Sequence, residues 1–343
     1  MTVSTAIRST VLLAVLSSAC SIQRQKPDAA SMDDHLSHML PSDMIAPSAA
    51  AAPRGVYAGG DTPGLPASNN FAAARLKASP RHAEWVKIAW EPGSKDSLMA
   101  WVVYPMTSNA KTPVVVVVHE IFGLSTWVRA VADQVAADGF IAIAPDLVSR
   151  ARGGPSTDEL PGDSASKLIR GVMAPERNRG ITAVANYAMA LPSAAPRFAV
   201  IGYCWGGTTT WLSGINNAKG FSGGVAFYGS FPYMNGAVPY ADSLSRIAKP
   251  IMLLSGSKDA RIGATMPAID SAMKANGKDY FGKNYEGAIH GFLRAQDDPR
   301  VLPPTAPDSL VQAAKAEAAA NLAATVDGWP RTVTFLKKNL GVK

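Results

Sequence analysis

The chain has 343 residues, 47% of them hydrophobic and 17% charged, which is enough apolar material for a sizeable core. Its formal charge of +7 is spread without a basic block or aromatic–basic interleaving. That pattern argues against nucleic-acid binding and leaves only a weak preference for anionic substrates or surfaces. Two cysteines as far apart as Cys20 and Cys204 cannot build a cysteine zinc site, and no metal or cofactor motif is expected.

Residues 1–20 read as an export signal. Arg8 gives a positive start, 11–16 a short apolar core, and 17–20 a run of small residues. Two processing routes fit: cleavage after Ala19, or lipidation of Cys20 in a segment resembling a bacterial lipoprotein box. Either places the mature protein outside the cytoplasm, in the periplasm or anchored to a membrane through Cys20. Residues 21–81 are rich in Ala, Ser, Pro and Asp, lack a sustained period, and read as a flexible leader. His35 and His38 read as solvated. No run of 18 apolar residues follows the signal, so no membrane-spanning helix is expected in the mature chain.

From residue 82 the texture changes. Segments 84–89 and 98–104 read as strands, and the five valines of 114–118 as a central strand buried on both faces. A helix follows over 125–138, with Val128, Val131, Ala132 and Val135 on one face. Residues 140–144 form the next strand, and 150–165 read as loop because of Gly153, Gly154, Pro155, Pro161 and Gly162. Helices are expected over 176–190, 208–213, 265–276, 309–326 and 329–340, and strands over 198–201, 224–228 and 251–255. This alternation predicts an α/β fold: one domain over 82–343, with a mostly parallel central sheet and helices on both faces.

The strand at 198–201 runs into Gly202-Tyr203-Cys204-Trp205-Gly206, a glycine–nucleophile–glycine turn ahead of a helix. At a helix N-terminus the backbone N–H groups favour a thiolate on Cys204. The plainer reading is a buried structural cysteine. Only His82, His119 and His290 lie in the folded part. His290 sits in a glycine-flanked loop, and Asp259 follows the strand at 251–255, at the carboxyl edge where α/β sheets place their sites. Nucleophile, acid and histidine occur in the chain order of an α/β-hydrolase. The loop after the valine strand, His119-Glu120-Ile121-Phe122-Gly123, stands where that fold supplies an oxyanion-binding amide. We assign the two amides to Ile121 and Trp205. Glu120 either acts on the Cys204 thiol or is an ordinary loop carboxylate, and spacing does not separate the two.

These motifs, with Pro145-Asp146-Leu147, the stretch from Gly256 to Asp259 and that from His290 to Arg294, resemble the dienelactone hydrolase family of carboxymethylenebutenolidase-like α/β-hydrolases over about residues 85–340. The resemblance implies an ester or lactone hydrolase with a Cys204–His290–Asp259 triad and no cofactor. It implies that Glu120 helps ionise Cys204 when substrate arrives. It further implies that Arg294 contacts a substrate carboxylate and pairs with Glu120 in the empty site, with a carboxylate-bearing dienelactone as substrate. The chain departs from the family in its leader and in a second carboxylate-binding arginine. The aligned loop near Gly162 has none, and Arg150, Arg152, Lys167 and Arg170 are the cations nearby. Two other functions use the same residues: an exported, non-catalytic ligand-binding protein, and a redox-sensing thiol at Cys204.

Overall fold

The valine run lies at the centre of an eight-stranded sheet in the computed structural model, which describes residues 59–106, 111–156, 162–236, 238–300 and 302–342. The expected export signal, Cys20 and the leader up to residue 58 lie outside the described residues. The strands are β1 (Ala83–Ala89), β2 (Ser97–Val103), β3 (Thr112–Val118), β4 (Ile141–Asp146), β5 (Ala194–Tyr203), β6 (Phe221–Phe227), β9 (Ile251–Gly256) and β10 (Tyr280–Tyr285). Between β6 and β9, β7 (Met234–Asn235) and β8 (Val238–Pro239) form a separate two-stranded ribbon. The sheet order is β1-β2-β4-β3-β5-β6-β9-β10. Only β2 opposes the rest: it pairs antiparallel with β1 and β4, while every other pairing is parallel. This is the α/β-hydrolase fold.

Every residue of β3 is buried, as a strand covered on both faces requires. Helices Ala174–Met189 and Trp205–Asn216 pack together against β3 and β5. Helix Thr126–Ala137 packs on β2, β3 and β4, while the long helix Asp308–Leu340 packs on β5, β6 and β9. The parallel order β3-β5-β6-β9-β10 has a functional consequence. It sets side by side the carboxyl ends that lead to Glu120, Cys204, Asp259 and His290.

Four expectations need correction. The segment read as loop over 150–165 contains the end of a short helix (Ser149–Arg152), and its last residues open another helix (Gly162–Gly171). Strand β10 was not foreseen, because its residues Gly282, Lys283 and Asn284 carry no strand pattern. The two expected C-terminal helices are one, running through Pro330. There the side chains of Thr325 and Thr332 bond carbonyls four residues back, so the turns flanking the proline stay hydrogen-bonded.

The fourth correction concerns the leader. Its final part, 59–81, is ordered and packed. Leu65, Ala67, Ser68 and Ala72 are buried, and residues Ala72–Ala78 form a helix against Thr126–Ala137. Polar bonds carry much of the attachment. Arg75 binds Asp61, the carbonyls of Thr62 and Leu65, and Gln134. Arg81 donates to the buried Asp133 at 2.9 Å, and the Trp127 indole to the Ala67 carbonyl at 3.0 Å. A sequence that docks through so few apolar side chains has no hydrophobic period to reveal it.

Candidate active site

The turn after β5 forces Cys204 into φ 55°, ψ −113°, a conformation that costs a non-glycine residue about 1–3 kcal/mol. Neighbouring glycines make it feasible. A Cβ on Gly202 would stand 2.1 Å from the carbonyl oxygen of Gly206, and one on Gly206 would stand 2.3 Å from that of Val118. The helix opened by Trp205 therefore presses directly on the end of β3. Gly206→Ala should destabilise the fold by about 3 kcal/mol, the upper end for overpacking, because central backbone cannot give way. Thermal unfolding checks this, and an unchanged Tm would show that the backbone yields.

The structure brings the sequence-predicted residues together at this edge. Cys204 is 5% exposed, carries no disulfide and lies close enough to His290 for the two to interact electrostatically. His290 Nδ1 donates to Asp259 Oδ2, leaving Nε2 for the thiol side. Burial works against a charge on His290. The charge of an ionised Cys204 and the hydrogen bond to Asp259 outweigh it and raise the imidazole to about 9. Burial likewise opposes ionisation of Asp259. The His290 bond and charge, Arg261 and the Ile262 N–H prevail and hold its carboxyl below the usual range. His290 is steadied from behind as well. Asn321 Oδ1 accepts the Ile289 N–H at 3.0 Å, and the Lys258 N–H donates to the Ala288 carbonyl at 3.0 Å.

Glu120 is no ordinary loop carboxylate. It is 1% exposed and pairs with Arg294, whose Nε lies 3.1 Å from Oε2. Burial raises the Glu120 pKa, against the lowering charges of Arg294 and His290. The Arg294 guanidinium also lies 5.4 Å from the Phe122 ring centre. Ile121 sits in the turn beside Glu120. Trp205 is the first residue of its helix, so its N–H has no acceptor four residues back within that helix. Behind this turn His119 is a neutral, fully bonded imidazole. Nδ1 donates to the Glu120 carbonyl at 2.7 Å, Nε2 accepts the Leu147 N–H at 3.2 Å, and the ring stacks on Trp205.

Two neighbours escaped the sequence reading. The Tyr228 ring lies 4.9 Å from that of His290, and Tyr228 itself adopts φ 39°. The Arg177 guanidinium lies 4.2 Å from the Trp205 ring, and burial lowers its pKa to about 10. No motif marks either. Of the cations proposed for the missing arginine, Arg150 is tied to Asp96 and Glu176, and Lys167 and Arg170 are exposed. Among the described residues no three metal-ligating side chains cluster, and no helix is long and apolar enough to cross a membrane.

A sequence profile of the "Dienelactone hydrolase family" matches residues 98–340. The chain belongs to the dienelactone hydrolase family. A family relative from Salmonella typhimurium, named "Putative carboxymethylenebutenolidase", is 30% identical over 178 residues, covering 50% of this chain and 64% of its own length. The chain thus spans somewhat under two thirds of that relative. A Bradyrhizobium protein named "Probable 2-oxo-3-(5-oxofuran-2-ylidene)propanoate lactonase" is 28% identical over 219 residues, covering 61% of this chain and 83% of its own. The fold matches the crystal structure of a Klebsiella pneumoniae protein named "Putative Dienelactone Hydrolase". Its TM-score is 0.57 at 24% identity, with 74% of this chain and 98% of that one covered.

Proposed function

We propose that this protein hydrolyses a carboxylic ester or lactone through Cys204, His290 and Asp259. The carrying observation is that His290 is hydrogen-bonded to Asp259 and interacts with the buried Cys204 at the carboxyl edge of a dienelactone hydrolase-family sheet. Cys204 Sγ attacks the carbonyl carbon, and the amides of Ile121 and Trp205 receive the negative charge that forms on its oxygen. The C–O bond then breaks. The leaving alkoxide takes the proton from His290, and a thioester joins the acyl group to Cys204. Water, giving a proton to His290, attacks the thioester; the C–S bond breaks, releasing the carboxylic acid and leaving the Cys204 thiolate beside a protonated His290.

Arg294 is the positive charge that recruits a carboxylate on the substrate, exchanging its partner Glu120 for the ligand. Glu120, released, acts on the nearby thiol, so Cys204 reacts when a substrate is present. The relatives' names support a lactone substrate, and Arg294 supports an anionic one. Cys204→Ala should reduce hydrolysis of both a dienelactone and a neutral activated ester by about 10³-fold or more. Steady-state assays on both substrates check this. Full activity in the variant would sink the mechanism, and loss on the neutral ester alone would discard the dienelactone.

A further inference from the structure

The packed segment at 59–81 precedes the part of the chain that the family profile matches, yet it grips the loop that carries His290 and Arg294. The Asn69 N–H donates to the carbonyl of Arg294 itself at 2.9 Å. The Ser68 hydroxyl and the Asn70 N–H both bind the Asp298 carboxylate. The Gly60 N–H reaches Asp297 Oδ2 at 3.2 Å. From the loop side, the buried amide of Gln296 donates to the Pro66 carbonyl at 2.7 Å and to that of Leu293 at 3.0 Å. Gln296 holds φ 42°, a left-handed corner directly after the short helix Phe292–Ala295. A non-glycine residue stays in such a corner only when its surroundings fix it.

The anchors divide along this loop. His290 is held from the domain side, through Asp259 and through Asn321 at Ile289. Arg294 is held through its backbone by residue 69, and the turn beyond it by residues 60, 66, 68 and 70.

We propose that residues 65–70 are a positioning strap for Arg294. They set where its guanidinium stands between Glu120 and an incoming carboxylate, and they leave the Cys204–His290 pair to other anchors. The inference rests on the proposed role of Arg294 as the carboxylate-binding cation. Asn69 acts here through its backbone N–H, so the decisive substitution is to proline, which removes that donor. Asn69→Ala keeps the donor and serves as the control.

In the full-length chain, Asn69→Pro should raise KM for 4-nitrophenyl hemisuccinate about tenfold, the effect of one lost charge-assisted contact. kcat/KM for the neutral 4-nitrophenyl acetate should stay within about twofold, and Asn69→Ala should behave as the unaltered protein. Ser68→Ala, a gentler cut, should move the hemisuccinate KM in the same direction. A second readout needs no turnover: the rate of Cys204 alkylation by iodoacetate relative to iodoacetamide, read on the Cys204 peptide by mass spectrometry. That ratio should fall about threefold in Asn69→Pro. Equal losses on both esters, or an unchanged alkylation ratio, would overturn the strap. Absence of turnover in the unaltered protein would overturn the hydrolase reading instead, and the alkylation ratio would still decide the strap.

Discussion

Asp259→Asn should lower kcat/KM for any ester this protein turns over by about 10³–10⁴-fold and move the alkaline limb of its pH profile downward. Three things set the imidazole's titration. Burial lowers its pKa, the charge of an ionised Cys204 raises it, and the Asp259 hydrogen bond and charge raise it further, to about 9 from an ordinary 6.5. Asparagine removes the carboxylate's share and can present an N–H where Nδ1 needs an acceptor, which favours the wrong tautomer. A protonated His290 is needed to protonate the leaving group, so unaltered activity should fall as pH rises through about 9. The stability linkage has the same sign. A base raised in the fold contributes fully below its unfolded value, and the contribution is lost as pH rises through about 9. Both limbs should move to lower pH in the variant. A pH–rate series of the two proteins checks this, and coincident alkaline limbs would show that Asp259 does not govern His290.

The second large effect concerns the buried ion pair. Arg294→Met should destabilise the fold by about 3–5 kcal/mol, because it leaves the Glu120 carboxylate in the interior without its countercharge. The side chains of Arg294 and Glu120 are only 14% and 2% exposed, so solvent does little to screen the loss. Burial already raises Glu120's pKa, and Arg294 is the larger of the two charges opposing that rise. Removing it raises the pKa further. The fold then holds a proton that the unfolded chain releases near its ordinary value of about 4.3. Stability therefore falls as pH increases from that value up to the folded pKa. Urea unfolding at pH 5 and pH 8 should show a larger deficit at pH 8. Adding Glu120→Gln to Arg294→Met should recover much of the loss, since the pair is then replaced rather than broken. A deficit independent of pH, or no rescue, would mean that the arginine acts through packing alone.

The sheet was legible where burial dictates composition. The valine run, the strand ahead of Cys204 and the apolar strand before Asp259 each had to be hydrophobic, because parallel strands are covered on both faces. The glycines around Cys204 were legible for a steric reason, since only a hydrogen fits at 202 and 206. The expected family agrees with the profile match, and the expected fold class with the sheet order. Sequence gave no access to what depends on long-range polar partners. The middle of strand β10, Gly282, Lys283 and Asn284, has no apolar residue, and the strand is held by its parallel neighbour β9. Arg177 reaches Trp205 across two helices. The strap was hidden because it is fastened by carbonyls, amides and carboxylates whose partners lie far along the chain. The helices read separately over 309–326 and 329–340 are one, and in it Thr325 and Thr332 bond the carbonyls of Asn321 and Gly328.

The distance between the strap and its partners bears on how the molecule is made. Ser68 meets Asp298, and Pro66 meets Gln296, across 230 residues of sequence. A growing chain exposes residues 65–70 long before 296–298 exist. Arg75 and Trp127 can engage the Leu65 and Ala67 carbonyls early, but the groups that bind residues 294–298 have only solvent as partners until the end of synthesis. Until then Arg294 has no fixed post. An incomplete or freshly refolded chain can hold a formed sheet and a seated Cys204 while its grip on a carboxylate is unfinished. Acquisition of that grip marks the moment when the two distant ends of the domain have found each other.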